Sequence, residues 1–338
     1  MSETKSKVLV LGGLGYIGSC FIDQLLKQYP DVTVSVIDIN HTSLALQLLP
    51  RQVNVHFVNL LDRAQLTDTI AQINPDVVFH FAAKTSVKES TEQPLTYFDH
   101  NLVGTLNLLH ALKELQKPIQ LFFSSTAAVF GSASTLPIPE NLVLEETLAS
   151  NPYGISKFLS EIVLQTLTRS PHFQVIALRY FNVAGASNPF GNFNKNTTLL
   201  IPNLIKAFME KRTFFLYGDD YDTKDGSCIR DYIHVVDLCD AHLLAWKWLQ
   251  ANPKVRFESF NLGSGQGFSN WEVINTAQAI FAPEQLQLKI ESRRAGDPPV
   301  LVVDCTKAKR LLNFQPTRSL HKMLSDETIF YRDFYNRL

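Results

Sequence analysis

Lys7-Val-Leu-Val-Leu11 runs directly into Gly12-Gly13-Leu14-Gly15-Tyr16-Ile17-Gly18, and this stretch decides how the chain reads. The unbroken apolar run suits a strand buried on both faces of a parallel sheet. A helical pattern follows (Ile17, Phe21, Leu25, Leu26) and stops at Tyr29-Pro30. Thr33-Val-Ser-Val-Ile37 reads as the next strand and ends at Asp38, 20 residues after Gly18. Glycines at such a strand-to-helix turn let the backbone approach a pyrophosphate, which the helix N-terminus opening at Tyr16 and Ile17 then holds. An acidic group closing the second strand accepts from a ribose 2′-hydroxyl and favours NAD over NADP. The spacing is Gly12-x2-Gly15-x2-Gly18 rather than G-x-G-x-x-G, so strand, helix and Asp38 together carry the reading.

The alternation continues outward. Strands are predicted at Val53–Val58, Val77–Phe81, Ile119–Ser124 and Gln174–Tyr180, with helices at Arg63–Ile73, Pro94–Leu115 and Tyr153–Thr168. This βαβ rhythm predicts a Rossmann-type doubly wound parallel sheet. Ligands on such sheets sit beyond the carboxyl ends of the strands. There the chain places Phe81-Ala82-Ala83, Ser124-Ser125-Thr126 and Phe181-Asn182. Small residues admit a flat cofactor, although small residues also simply ease packing. Hydroxyls at a strand end want partners.

After Tyr180 the rhythm changes. Residues 182–196 form a Gly-, Asn- and Pro-rich loop, followed by helical patterns at Leu199–Lys211, Val236–Leu249, Asn270–Ala279 and Leu320–Tyr335. Short strands are expected near Phe214–Tyr217 and Phe257–Leu262. The expected division is a nucleotide-binding domain over 1–180, its sheet open to completion by later segments, and a smaller mixed α/β C-terminal substrate lobe over 181–338.

Composition excludes several classes. Of 338 residues, 45% are apolar, and 31 basic against 32 acidic side chains leave a net charge of −1, so no polybasic nucleic-acid surface is expected. No apolar run approaches the roughly 20 residues of a membrane span, and the polar start, Met1 to Lys7, has no apolar h-region, so export is not expected. Four separated cysteines point to reduced thiols and a cytoplasmic protein. Nine scattered histidines give no metal-site spacing.

One pair carries chemistry. Tyr153 and Lys157, four apart on a predicted helix, share a face. A phenol of pKa about 10 is a poor base at neutral pH. Lowering it to about 7 takes roughly 4 kcal/mol, within reach of a desolvated ammonium plus a cationic cofactor.

Together, Gly12-x2-Gly15-x2-Gly18, Ser124-Ser125-Thr126 and Tyr153-x3-Lys157 resemble the extended short-chain dehydrogenase/reductase family, and within it the branch that epimerises UDP-sugars. The similarity runs nearly end to end through His80-Phe-Ala-Ala83, Tyr97-Phe-Asp-His-Asn101, Leu178-Arg-Tyr-Phe-Asn182, Asp225–His234 and Arg293-Arg-Ala-Gly-Asp297. The resemblance implies Asp38, Ile39 and Asn40 at the adenosine ribose, and Asn59-Leu60 at the adenine, where relatives carry Asp. It implies Asn101, Ser124 and Phe181 on the nicotinamide side, and Thr126, Tyr153 and Lys157 as the catalytic group. Thr85 stands where relatives place a lysine or serine, with Lys84 one position early.

For the nucleotide sugar, the resemblance implies Asn182, Leu200, Tyr217, Arg230, Arg294 and Asp297. Arginine forks suit a pyrophosphate and Tyr217 suits stacking on uracil. A single arginine is more often a surface ion-pair partner, and Arg293 fits that description. Leu301 stands where strict glucose/galactose epimerases often carry tyrosine, leaving room for an N-acetyl group.

The implied reaction is NAD-dependent 4-epimerisation of a UDP-hexose. Ala127 and Ala128 follow Thr126 where dehydratases place acids, which argues against dehydration. The rivals are a UDP-glucuronate 4-epimerase or decarboxylase and a non-catalytic NAD-binding regulator. A homodimer is expected because the Pro94–Leu115 and Tyr153–Thr168 helices carry apolar residues on more than one face.

Overall fold

The computed structural model describes residues 6–131, 135–140, 142, 149–194, 198–294 and 297–335. In its first half the strands are β1 (Lys7–Leu11), β2 (Thr33–Asp38), β3 (Asn54–Phe57), β4 (Val77–His80), β5 (Ile119–Thr126) and β6 (Phe173–Tyr180). Later come β7 (Asn182–Ala184), β8 (Phe214–Tyr217), β9 (Ile229–His234), β10 (Phe257–Leu262), β11 (Gly267–Ser269), β12 (Leu288–Glu291) and β13 (Val300–Leu301).

A seven-stranded sheet runs β10-β6-β5-β4-β1-β2-β3. Every pairing in it is parallel. The predicted Rossmann-type sheet is therefore present. Leu11 is in register with both Ile37 and His80. The carboxyl ends of β1, β2 and β4 thus finish level, and Gly12, Asp38 and Phe81 emerge side by side at the point where strand order reverses. Val8 to Leu11 are fully buried, as parallel strands covered on both faces must be.

Helices Tyr16–Gln28 and Val235–Ala251 pack together over one face of the sheet, around Phe21, Phe79, Phe122 and Trp246. Helices Arg63–Ile73, Gly104–Glu114 and Pro152–Leu167 cover the other, around Leu66, Leu108, Leu121 and Leu164. Two segments from the second half, Val235–Ala251 and β10, thus return to complete the first lobe. The predicted 94–115 helix is interrupted. Residues Phe98–Val103 wind as a π-helical turn between Pro94–Tyr97 and Gly104–Glu114, a departure common at functional sites.

In the smaller lobe β9 pairs with β7, β11 and β13, and β8 pairs with β12. Helices Leu200–Met209, Asn270–Phe281 and Leu320–Tyr335 bury a core that includes Ile201, Leu204, Val273, Leu324 and Tyr331. Among the described residues no helix is long and apolar enough to cross a membrane.

The C-terminal helix is tied to the glycine turn through Gly185. The Tyr16 hydroxyl donates to the Gly185 carbonyl at 2.5 Å, and the Gly185 N–H donates to the Glu327 carboxylate at 2.9 Å. Burial pushes Glu327 up from 4.5 to about 8, with the Gly185 N–H and Lys206 pulling back. Below about pH 8 the folded chain therefore keeps a proton that the unfolded chain releases above about 4.5. Stability must fall as pH rises between those values, by up to roughly 1.4 kcal/mol per pH unit. Glu327→Gln removes this slope. Thermal melts near pH 5 and above pH 8 should show the variant losing less Tm than the parent; equal losses would contradict the assignment.

Candidate active site

Gly12 has φ +76°, and a Cβ there would lie 2.6 Å from the Ala82 nitrogen. Only glycine lets the end of β1 touch the end of β4 this closely. A Cβ on Gly18 would lie 2.2 Å from the Gly12 carbonyl oxygen. Gly15 differs. It is the N-cap of the Tyr16–Gln28 helix, and no side chain caps that helix. A Cβ on Gly15 would meet only the Gly12 oxygen, at 3.3 Å. Its missing side chain therefore keeps clear the space in front of an uncapped helix N-terminus, which is what an incoming pyrophosphate requires.

That space opens into a cleft of about 350 Å³. The glycine turn contributes Gly12 and Gly15, the end of β2 contributes Asp38, Ile39 and Asn40, and the segment after β3 contributes Asn59 and Leu60. Phe81, Ala82 and Ala83 follow β4 into the same wall. Asp38 accepts from the Leu14 N–H at 2.9 Å and from the Ile39 and Asn40 N–H groups at 2.7 and 3.0 Å. Its carboxylate is thereby fixed by three backbone donors at the rim. The Asn59 side-chain oxygen, expected at the adenine, already accepts the Leu61 N–H at 3.0 Å.

Lys84 and His100 also line the cleft, whereas Thr85 is exposed outside it. The Lys84 ammonium pairs with Glu89 at 2.8 Å. Asn101 lies in the π-helical turn and is buried. Its side chain accepts from the Lys84 N–H at 2.8 Å and donates to the Lys84 carbonyl and the Ser156 hydroxyl, each at 3.0 Å. It anchors the Lys84 segment against the Pro152–Leu167 helix.

The Tyr–Lys pair stands at the carboxyl end of β5. The Asn151 side chain caps the Pro152–Leu167 helix by accepting from the Gly154 N–H at 2.9 Å. A Cβ on Gly154 would lie 2.5 Å from the Ala128 oxygen, so glycine lets the Ala127–Phe130 turn that follows Thr126 lie directly on this helix. Lys157 is 2% exposed, donates to the Ser124 carbonyl at 2.7 Å and sits 4.6 Å from the Phe123 ring. Burial brings its pKa down to about 7, opposed by Glu161. Burial likewise raises the Tyr153 phenol, which the Thr126 hydroxyl draws back. Desolvation thus favours the neutral form of both groups, and further positive charge brought beside the phenol favours its phenolate.

On the opposite side, Arg230 is buried, donates to Asp297 at 3.0 Å and lies in register with Leu301 across β9 and β13. Leu301 packs with Ala127, Phe130 and Phe181 in a small cluster behind the Thr126 turn. Asn182 is in register with Tyr232 on β9. Arg294 lies over the Tyr217 ring at 4.2 Å. Arg293 pairs with Asp220 at 2.6 Å, the ion-pair role expected of it. Leu200 packs against the second-lobe core.

Residues 8–263 match the NAD dependent epimerase/dehydratase family. The chain belongs to that family. Its similarity to members extends over the whole length. The UDP-glucose 4-epimerase of Mycoplasma genitalium is 55% identical over 337 residues, covering 99% of each chain. The UDP-glucose 4-epimerase of Stenotrophomonas maltophila, solved with bound NAD and formylated UDP-arabinopyranose, superimposes with a TM-score of 0.90 at 31% identity, over 98% of this chain and 100% of that one. The UDP-Glc/GlcNAc 4-epimerase of Campylobacter jejuni gives a TM-score of 0.83 at 36% identity, over 97% and 99%.

The glycines separate fold from binding. Gly18→Ala should cost about 3 kcal/mol or more in chemical denaturation, since backbone must move. Gly15→Ala should stay within about 1 kcal/mol of the parent yet lose dinucleotide, read as the nucleotide released from purified protein. Full retention by Gly15→Ala would contradict the pyrophosphate placement.

Proposed function

We propose that the chain catalyses NAD-dependent 4-epimerisation of a UDP-hexose through a 4-keto sugar. The observation that carries this reading is the buried Tyr153–Lys157 pair beside Thr126, with the Lys157 ammonium on the Ser124 carbonyl and only Ala127 and Ala128 following Thr126. Epimerisation returns every atom it removes, so one proton shuttle suffices. Dehydration needs a further acid, and Ala127 and Ala128 cannot transfer protons.

Gly12, Gly15 and the N-terminus opening at Tyr16 and Ile17 would hold the NAD pyrophosphate. Asp38, Ile39 and Asn40 would hold the adenosine ribose, and Asn59 and Leu60 would border the adenine. Phe81, Ala82, Ala83 and Ser124 would pass the cofactor toward the nicotinamide end. Bound there, NAD supplies a reversible hydride acceptor for sugar C4 and a positive charge near the phenol. Tyr153 as phenolate takes the proton from O4, Thr126 hydrogen-bonds that oxygen, and Lys157 favours the phenolate by attraction. Arg230 and Arg294 would hold the UDP phosphates, and Tyr217, whose ring already meets Arg294, would stack on the base. The anchored UDP lets the keto sugar turn and present its other face. In this division residues 1–180 supply mainly the cofactor half and 181–338 mainly the sugar half.

Tyr153→Phe should keep NAD and lose about 10²- to 10⁴-fold in turnover. Unchanged turnover of UDP-galactose would overturn the assignment.

Leu301 sets the substrate range in this reading. Where strict glucose/galactose epimerases often carry tyrosine, the smaller leucine would admit an N-acetyl group, so UDP-N-acetylglucosamine should turn over alongside UDP-glucose. The bifunctional Campylobacter relative supports this breadth. Leu301→Tyr should cut turnover of the N-acetyl substrate by about tenfold or more while sparing UDP-glucose. A parent enzyme inactive on the N-acetyl sugar sinks the idea.

Two copies of the chain should associate. Leu95, Val103 and Ile162 are 76%, 39% and 43% exposed on helical segments that pack against one another. A shared apolar face of this kind is what a homodimer would cover. Sedimentation should give a dimer mass for the parent and a monomer mass for Ile162→Glu; a monomeric parent would remove the proposal.

A further inference from the structure

Beneath the Tyr153–Lys157 pair lies a second, fully internal set of polar groups that the reaction as described does not use. Glu161 is 4% exposed and sits one helical turn beyond Lys157. Its carboxylate accepts from the Ser125 hydroxyl. It also accepts from Arg179, with Nη2 at 2.7 Å and Nε at 3.1 and 3.2 Å. Arg179 is 5% exposed, lies in register with Ser125 across β5 and β6, and donates through Nη1 to the Glu140 carbonyl at 3.1 Å. Its guanidinium stands 5.1 Å from the Phe130 ring, in the turn that follows Thr126.

We propose that Glu161 is a positioning residue for the reaction: it clamps the end of β5 to the Tyr153 helix and supplies the counter-charge to the Lys157 ammonium, with Arg179 as its fixed partner. The proposal rests on Tyr153 being the acid–base group.

Connectivity carries the first half. Ser125 lies between Ser124, whose carbonyl takes the Lys157 ammonium, and Thr126, which faces Tyr153. A carboxylate bonded to Ser125 from the Lys157 helix therefore sets the distance between strand and helix on which both contacts depend. Arg179 extends the clamp to β6, to the Glu140 backbone and to the Phe130 turn.

Charge carries the second half. Facing Lys157 on its own helix are Tyr153 and Glu161. From β5 come the Ser124 carbonyl and the Phe123 ring, and from β4 comes His80, held neutral by burial with a pKa of about 3. From β6 come Tyr180, which burial keeps protonated, and Arg179 behind its carboxylate. Glu161 is the anion that acts on Lys157 among the described residues. Without it, no anion among the described residues would act on the Lys157 ammonium in this dry interior. Lys157 would then shed its proton sooner, and the Tyr153 phenolate would lose its cation. The phenol would ionise at higher pH, moving the acid limb of the rate profile upward.

A buried ion pair can often be replaced by apolar side chains without loss of stability, whereas removing one partner strands a charge. This separates a structural role from the proposed one. The kcat–pH profile, Tm and bound NAD should be measured for the parent, Glu161→Gln, Glu161→Asp, and the double variant Glu161→Gln with Arg179→Met. The expected result for Glu161→Gln is a loss of about tenfold or more in kcat near pH 7 and an acid limb raised by about one pH unit, with NAD retained. Glu161→Asp, which keeps the charge, should restore the limb at least in part. The double variant should recover Tm while its limb stays high. A lowered Tm with kcat and limb unchanged would reduce Glu161 to a structural part and overturn the proposal. Should Glu161→Gln not fold, the double variant, which strands no charge, decides by the same readouts. Retained turnover in Tyr153→Phe would instead mark failure of the acid–base reading itself.

Discussion

Lys157 donates its ammonium to the Ser124 carbonyl at 2.7 Å from a site that solvent barely reaches, where burial, opposed by Glu161, brings the amine down to about 7. A cation in that place is costly, and most of what surrounds it bears on that cost. The carbonyl supplies a dipole, the Phe123 ring a negative face, and Glu161 a full opposite charge. The phenol it serves is shifted the other way by the same desolvation. The pair is therefore poised toward its neutral forms, so that positive charge arriving beside it tips the balance.

The position of that pair is set by backbone contacts that only glycine permits. Gly154 lets the turn after β5 lie on the helix that carries Tyr153, and Gly12 lets the end of β1 touch the end of β4. Both contacts pull loops from different strands toward one crevice. Gly15 works by omission, leaving the helix N-terminus open. Asp38 has a double task. Its carboxylate organises the Leu14, Ile39 and Asn40 backbone, and the same oxygens face the cleft. A charge held by three N–H donors is fixed in orientation at the cleft rim.

Much of this was legible in one dimension because its signals are local. The βαβ rhythm follows from apolar runs and turns, and the strand, the glycine turn and Asp38 lie within 33 consecutive positions from residue 6 to 38. Tyr153 and Lys157 share a face because helices repeat every 3.6 residues. Other features left no local trace. The π-helical turn at Phe98–Val103 has the composition of an ordinary helix, yet it sets where Asn101 can reach Lys84 and Ser156. Lys84 lines the cleft while its neighbour Thr85 is exposed, a difference that depends on how the chain leaves the sheet after β4. β10 reads as a strand in either lobe, and only its parallel pairing with β6 assigns it.

By itself the sequence determined the alternating α/β architecture, the glycine turn and the Tyr–Lys pair, since propensity and periodicity act between near neighbours. Only the tertiary structure decided which distant residues meet. It brought Glu161 to Ser125 and Arg179, Arg230 to Asp297, and Leu301 to the Thr126 turn. Those contacts join residues 18 to 174 positions apart. Their energies come from burial and charge in a shared interior, which no window of sequence contains.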